Sequence, residues 1–138
     1  MKKQILTTII ILLCLGRAFG QPQIFLGSSR AAIKNYMNYE IRWMLKTDNA
    51  DRLVYSNPHE KVSIAYHFVK NSPGIGRTCI MCSITLPDTE ATEKYIRHRV
   101  TGLRYKPSTD NLQWTLMTDL SDFTIHVIRC GNTLIYKY

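Results

Sequence analysis

Apolar positions along the first part of the chain that reads as folded recur with a helical period. Ile33, Tyr36, Met37, Ile41, Met44 and Leu45 stand at i, i+3, i+4, i+8, i+11 and i+12, one stripe of a 3.6-residue turn. Only Glu40 interrupts the series, Tyr39 and Trp43 widen it, and Ser28 and Ser29 precede it where an N-cap belongs. The pattern predicts a long N-terminal helix with a broad apolar face. Asp48 and Asn49 are placed to cap a short second helix through Tyr55, which Asn57-Pro58 closes because proline disfavours helix in the residue before it.

Beyond Pro58 the period falls to two. Val62, Ile64, Tyr66 and Phe68 alternate with Lys61, Ser63, Ala65 and His67, and Thr78, Ile80, Cys82, Ile84 and Leu86 form a second alternating run. Asn71-Ser72-Pro73-Gly74 between them is a turn signal, so the two runs predict a hairpin. From Asp88 to Arg97 the chain is charged, with Glu90 and Lys94, and Glu93 and Arg97, as acid-first i,i+4 pairs that support a short helix. A strand meander follows: Val100 to Lys106, Leu112 to Thr118, Phe123 to Cys130 and Leu134 to Tyr138, with turns at Pro107-Ser108-Thr109-Asp110, Ser121-Asp122 and Gly131-Asn132. No internal repeat is visible. The sum is an α+β layout, an N-terminal helix packed on a curved antiparallel sheet.

The N-terminus changes the composition. Lys2 and Lys3, the apolar run Ile5 to Leu15, and Ala18-Phe19-Gly20 form the pattern of a secretory signal peptide, with cleavage expected after Gly20. Its apolar run of about 11 residues is short of the roughly 20 that span a bilayer. Residues 1–20 are thus expected to direct secretion to the extracellular space, leaving 21–138 as one domain without a transmembrane segment. The chain has 18 Lys+Arg against 10 Asp+Glu; processing removes Lys2, Lys3 and Arg17 and leaves a surplus of five cations, short of the clustered stripe of a dedicated nucleic-acid binder.

Cys14 departs with the same segment, and Cys79, Cys82 and Cys130 enter an oxidising compartment. In a regular strand, three residues set the Cα atoms of Cys79 and Cys82 about 10 Å apart, beyond the roughly 4.4–6.8 Å of a disulfide, and alternation sends the side chains to opposite faces. The expected bridge therefore runs from Cys130 to Cys82 or to Cys79. The odd thiol is left for the core or for a disulfide-linked dimer. No second Cys or His pair accompanies the Cys79–Cys82 spacing, and no glycine-rich phosphate loop occurs, so neither a metal nor a cofactor is expected.

The order of elements over residues 28–138 resembles the NTF2-like and cystatin-like folds, which implies a cone with a pocket between helix and sheet. Enzymes of the NTF2-like group carry an Asp, His or Tyr inside the cone; His67 and His126, mid-strand and opposite the apolar series, are the candidates for that acid/base role. A cystatin-like inhibitor of cysteine proteases would present a Gln-Val-x-Gly loop, whereas here the hairpin reads Lys70-Asn71-Ser72-Pro73-Gly74-Ile75-Gly76. The one run of cations, Lys94, Arg97, His98, Arg99, Arg104 and Lys106, suits an anionic ligand. The leading expectation is a secreted, non-enzymatic domain that binds an extracellular ligand or protein partner. The alternatives are a secreted enzyme using His67 or His126, and a protease inhibitor.

Overall fold

Ser29 accepts a hydrogen bond from the Ala32 amide at 3.2 Å and starts α1, Arg30–Met37. The computed structural model describes residues 23–70, 76–101, 106–110, 112–117 and 124–138; the expected signal peptide and the Asn71–Gly74 turn lie outside them. After Asn38 the chain leaves the helix through turns, with Tyr39 donating to the Tyr36 carbonyl and Trp43 to that of Glu40. The helical stripe therefore stops at Met37. Ile41 is 96% exposed, and Met44 and Leu45 begin β1, Met44–Asp48. Pairing with a neighbouring strand satisfies the backbone there, and tertiary pairing outweighs local helix propensity.

Asp48 and Asn49 cap no helix either. The Asn49 side chain accepts from the Asp51 amide at 3.1 Å and shapes a hairpin turn into β2, Arg52–Asn57. Asn57, fully buried, closes the next turn by accepting from the amides of His59 and Glu60 at 3.2 Å each. The chain returns as β3, Val62–Lys70, then β4, Arg77–Thr85. Asp88 caps α2, Thr89–Tyr95, which runs on as a π-helical segment, Ile96–Val100, where a strand was expected to begin. Short β5, Lys106–Pro107, leads to β6, Gln113–Met117, β7, Thr124–Cys130, and β8, Thr133–Lys137.

All eight strands join one antiparallel sheet in the order β1-β2-β3-β4-β8-β7-β6-β5. The expected architecture, an N-terminal helix wrapped by a curved sheet in an NTF2-like or cystatin-like cone, is overturned. Each half of the chain is instead a short helix followed by a four-stranded meander, and the last strands of the two halves, β4 and β8, pair at the centre. The helices share their layout. Ser29 and Asp88 both take the amide three residues on, from Ala32 and Ala91, and the buried positions fall four and eight residues after each cap: Ile33 and Met37, then Thr92 and Ile96.

Strand register explains the core. The row Leu53, Tyr66, Cys82, Tyr136, Val127 and Trp114 crosses six strands side by side, and all six residues are buried. Tyr55, Ile64, Ile84 and Leu134 form the next row on the same face. Both helices cover this face: Met37 Sδ lies 3.9 Å from the Tyr66 hydroxyl, and Ile96 and Val100 join the same core. Ion pairs fasten each helix to the sheet. Asp48 binds Arg30 and Lys34 of α1, the latter at 2.7 Å, and Arg129 on β7 binds Glu93 of α2. Hydrogen bonding from Lys34 and the nearby Arg30 charge hold the Asp48 carboxyl below the usual carboxylate range.

Two substitutions in the turn between β2 and β3 test this account. Lys61 adopts a left-handed φ of 55°, so Lys61→Gly is expected to stabilise the protein by about 1 kcal/mol. Asn57→Ala removes both turn hydrogen bonds and is expected to cost about 1–3 kcal/mol. Denaturant midpoints of the two variants against the parent chain check both signs.

Candidate functional site

The face opposite the helices follows from the same alternation. Between each pair of core positions a strand sends one residue the other way, and the register lines these up. Arg52 stands beside His67, His67 beside Met81, Met81 beside Lys137, Lys137 beside His126, His126 beside Thr115, and Thr115 beside Lys106. One row thus crosses seven strands with three permanent cations and two imidazoles. Six strand spacings give it a length of about 29 Å.

The flanking rows are neutral. On one side of the cationic row lie Val54, Ala65, Ser83, Ile135, Ile128 and Gln113, and beyond them Ser56, Ser63, Thr85 and Thr133. Thr85 and Thr133 share a hydroxyl hydrogen bond of 3.0 Å. Ala65 is only 5% exposed and its apolar neighbours are half-buried, so the centre of this face is apolar beside a charged strip. Among the described residues no carboxylate stands in these rows. Glu40, Asp51, Glu60 and Asp110 are in turns, Asp88, Glu90 and Glu93 belong to α2 and its cap, and Asp48 faces α1.

A concavity lies at the edge of the helix-covered face. A cleft of about 480 Å³ opens between the end of α2 and β5–β6, with Trp114 at its base and Arg97, Asp110 and the Arg129–Glu93 ion pair on its walls. Its charges are balanced, cation against carboxylate.

The cationic run expected to act as one patch is divided between these places. Lys94 and Arg97 are exposed on and just beyond α2, Arg99 is half-buried in the π-helical segment, and Arg104 lies outside the described residues. Among the described residues of that run, Lys106 alone reaches the open-face row. The sequence offered no sign of Arg52 or Lys137, because only strand register brings them beside the histidines.

His67 and His126 do stand opposite the apolar series, as expected, but not in a cone. Three strand spacings, about 14 Å, separate them, and neither has a carboxylate beside it in the register. The His126 ring instead meets the Thr115 hydroxyl at 3.5 Å. This arrangement brings no acid/base pair together. Trp114 is buried in the core.

The cysteines depart from the alternation argument. Register slips between His67 and Phe68, pairing Met81 with His67 but Cys79 with Phe68, so Ile80 is an extra residue on β4. The bulge turns Cys79 and Cys82 to the same covered face, with their sulfurs 3.6 Å apart. All three cysteines are free, two buried and Cys130 exposed. Cys130 lies two strands and three residues from the Cys82 row, so the structure brings it to neither partner expected for it.

The His67 environment gives a pH dependence. Burial, with Arg52 beside it, holds this imidazole below its ordinary range. Its protonation favours the unfolded chain, so this share of stability is complete above about pH 6.5 and is lost as pH falls from there towards the lower folded value. Between about pH 7 and about pH 5, His67→Gln is expected to show a smaller fall in thermal midpoint than the parent chain; an equal fall would assign the dependence to other groups. No protein-family model, curated protein or solved structure matches this chain.

Proposed function

We propose that this chain is an exported binding domain, acting without catalysis, whose open sheet face takes an acidic segment of a partner protein. One observation carries the reading: the row Arg52, His67, Met81, Lys137, His126, Thr115 and Lys106 crosses a face with no described carboxylate. Such a strip attracts a complementary negative surface and sets its register. The half-buried Val54, Ile128 and Ile135 beside it offer apolar contact to side chains between the acidic ones.

The same face argues against a polyanion without side chains. Single-stranded nucleic acids are held by aromatic platforms along a basic groove, and the described aromatics of the strands, Tyr55, Tyr66, Phe68, Trp114 and Tyr136, all belong to the core on the other side. The cleft beside Trp114 is the poorer anion site because Glu93 and Asp110 offset its arginines.

A fluorescein-labelled peptide of alternating Glu and Val tests the proposal by polarisation. Lys137→Glu and Arg52→Glu are each expected to weaken binding by about tenfold, with affinity falling as salt rises. Lys94→Glu, the same charge change on α2, is expected to leave it within about twofold. Equal losses in all three variants, or tighter binding of an oligonucleotide than of the peptide, would overturn the reading.

A further inference from the structure

We propose that Cys79 and Cys82 are a disulfide-forming pair, closed within β4 when the chain folds in the presence of a disulfide oxidant, with Cys130 left as a free thiol. The inference rests on the bulge and is independent of what the open face binds. A regular strand would hold residues three apart at about 10 Å and on opposite faces. The extra residue Ile80 cancels one step of alternation, and both thiols enter the same core row region at a sulfur separation of 3.6 Å. Closure requires the sulfurs to approach from 3.6 Å to the roughly 2.05 Å of a disulfide bond.

The surroundings order the two thiols. Cys79 donates to the Met81 carbonyl at 3.5 Å, and Cys82 is placed to donate to the Cys79 sulfur. That hydrogen bond holds Cys79 below the usual thiol range, while sharing its proton with Cys79 and burial push Cys82 up. In the folded chain Cys82 therefore keeps the shared proton.

The chemistry balances with a small-molecule disulfide such as oxidised glutathione. One cysteine sulfur attacks one sulfur of the oxidant, forming a mixed disulfide and releasing one thiol. The other cysteine sulfur then attacks the first, closing the protein disulfide and releasing the second thiol. Both cysteine protons end on the two released thiols, and the two electrons of the new bond's formation reduce the oxidant's S–S bond.

The folded structure limits when this happens. Beyond the end of β8, the segment before α1 pairs with β4: Gly27 donates to the Cys79 carbonyl at 2.8 Å, and Cys79 donates to that of Ser28 at 2.9 Å. Phe25 packs on Tyr66 over the same place, and both thiols are inaccessible to solvent. Closure belongs to the folding chain, before this strap docks.

The test is peptide mapping. The chain is reduced, unfolded, refolded with oxidised glutathione in mildly alkaline buffer, alkylated in denaturant with iodoacetamide, and cut with trypsin. The peptide Thr78–Lys94, which holds both residues, is expected two hydrogens lighter and without alkyl groups, and the peptide Cys130–Lys137 alkylated or carrying glutathione. Cys130→Ser is expected to leave this result unchanged, and Cys82→Ser to leave Cys79 alkylated or carrying glutathione. A tryptic peptide of this chain joined to Cys130, or alkylation of both Cys79 and Cys82 after oxidative refolding, would overturn the proposal.

Discussion

The pairing of β4 with β8 is the interaction on which the rest of the structure depends. Met81–Thr85 lies antiparallel to Lys137–Thr133 and joins two helix-plus-meander halves into one sheet. On the covered side of this seam, Cys82, Ile84, Leu134 and Tyr136 are all buried, so the core of the molecule is continuous across the joint. On the open side, Met81 meets Lys137 and Ser83 meets Ile135. A slip of one residue would exchange the two sides. The seam thus fixes the core and the cationic row in a single act.

Both helices serve the same end by lying on one face. Their caps repeat a spacing, and each helix is tied to the sheet by ion pairs, α1 through Asp48 and α2 through Glu93. Those carboxylates are consumed on the covered side, and most of the remaining described acids sit in turns. The open face is cationic because the acids have structural duties elsewhere, although the overall surplus of cations is modest. The sheet edges are also blunted: β5 is two residues long and contains Pro107, and β1 is irregular between Leu45 and Thr47.

One extra residue, Ile80, has consequences on both faces. It turns Cys79 into the core beside Cys82, and it sits next to Met81 and His67, where the cationic row crosses β3 and β4. Alternation is a reliable guide to facing only while register is unbroken, and nothing in the residues Cys79-Ile80-Met81-Cys82 announces a bulge. The bulge exists because β3 and β4 pair on both sides of it, with Tyr66 on Cys82 and Phe68 on Cys79.

Local patterns determined a definite part of this protein. The alternation of β3 and of β4 from Cys82 onward, the strands ending at Cys130 and beginning near Leu134, the turn at Gly131-Asn132, and the helix after Asp88 were legible because each depends on neighbours a few residues away. His67 and His126 were visible as polar residues opposite an apolar series. The length of α1, the strands β1 and β2, and the fate of Asp48 were decided only in the folded chain, where strand pairing and ion pairing outweigh helix propensity. The cationic row was likewise beyond reach, since Arg52 and Lys106 are 54 positions apart and become members of one line only through six strand pairings. Side-chain chemistry and facing are properties of a segment; adjacency across a sheet is a property of register, which the whole core selects.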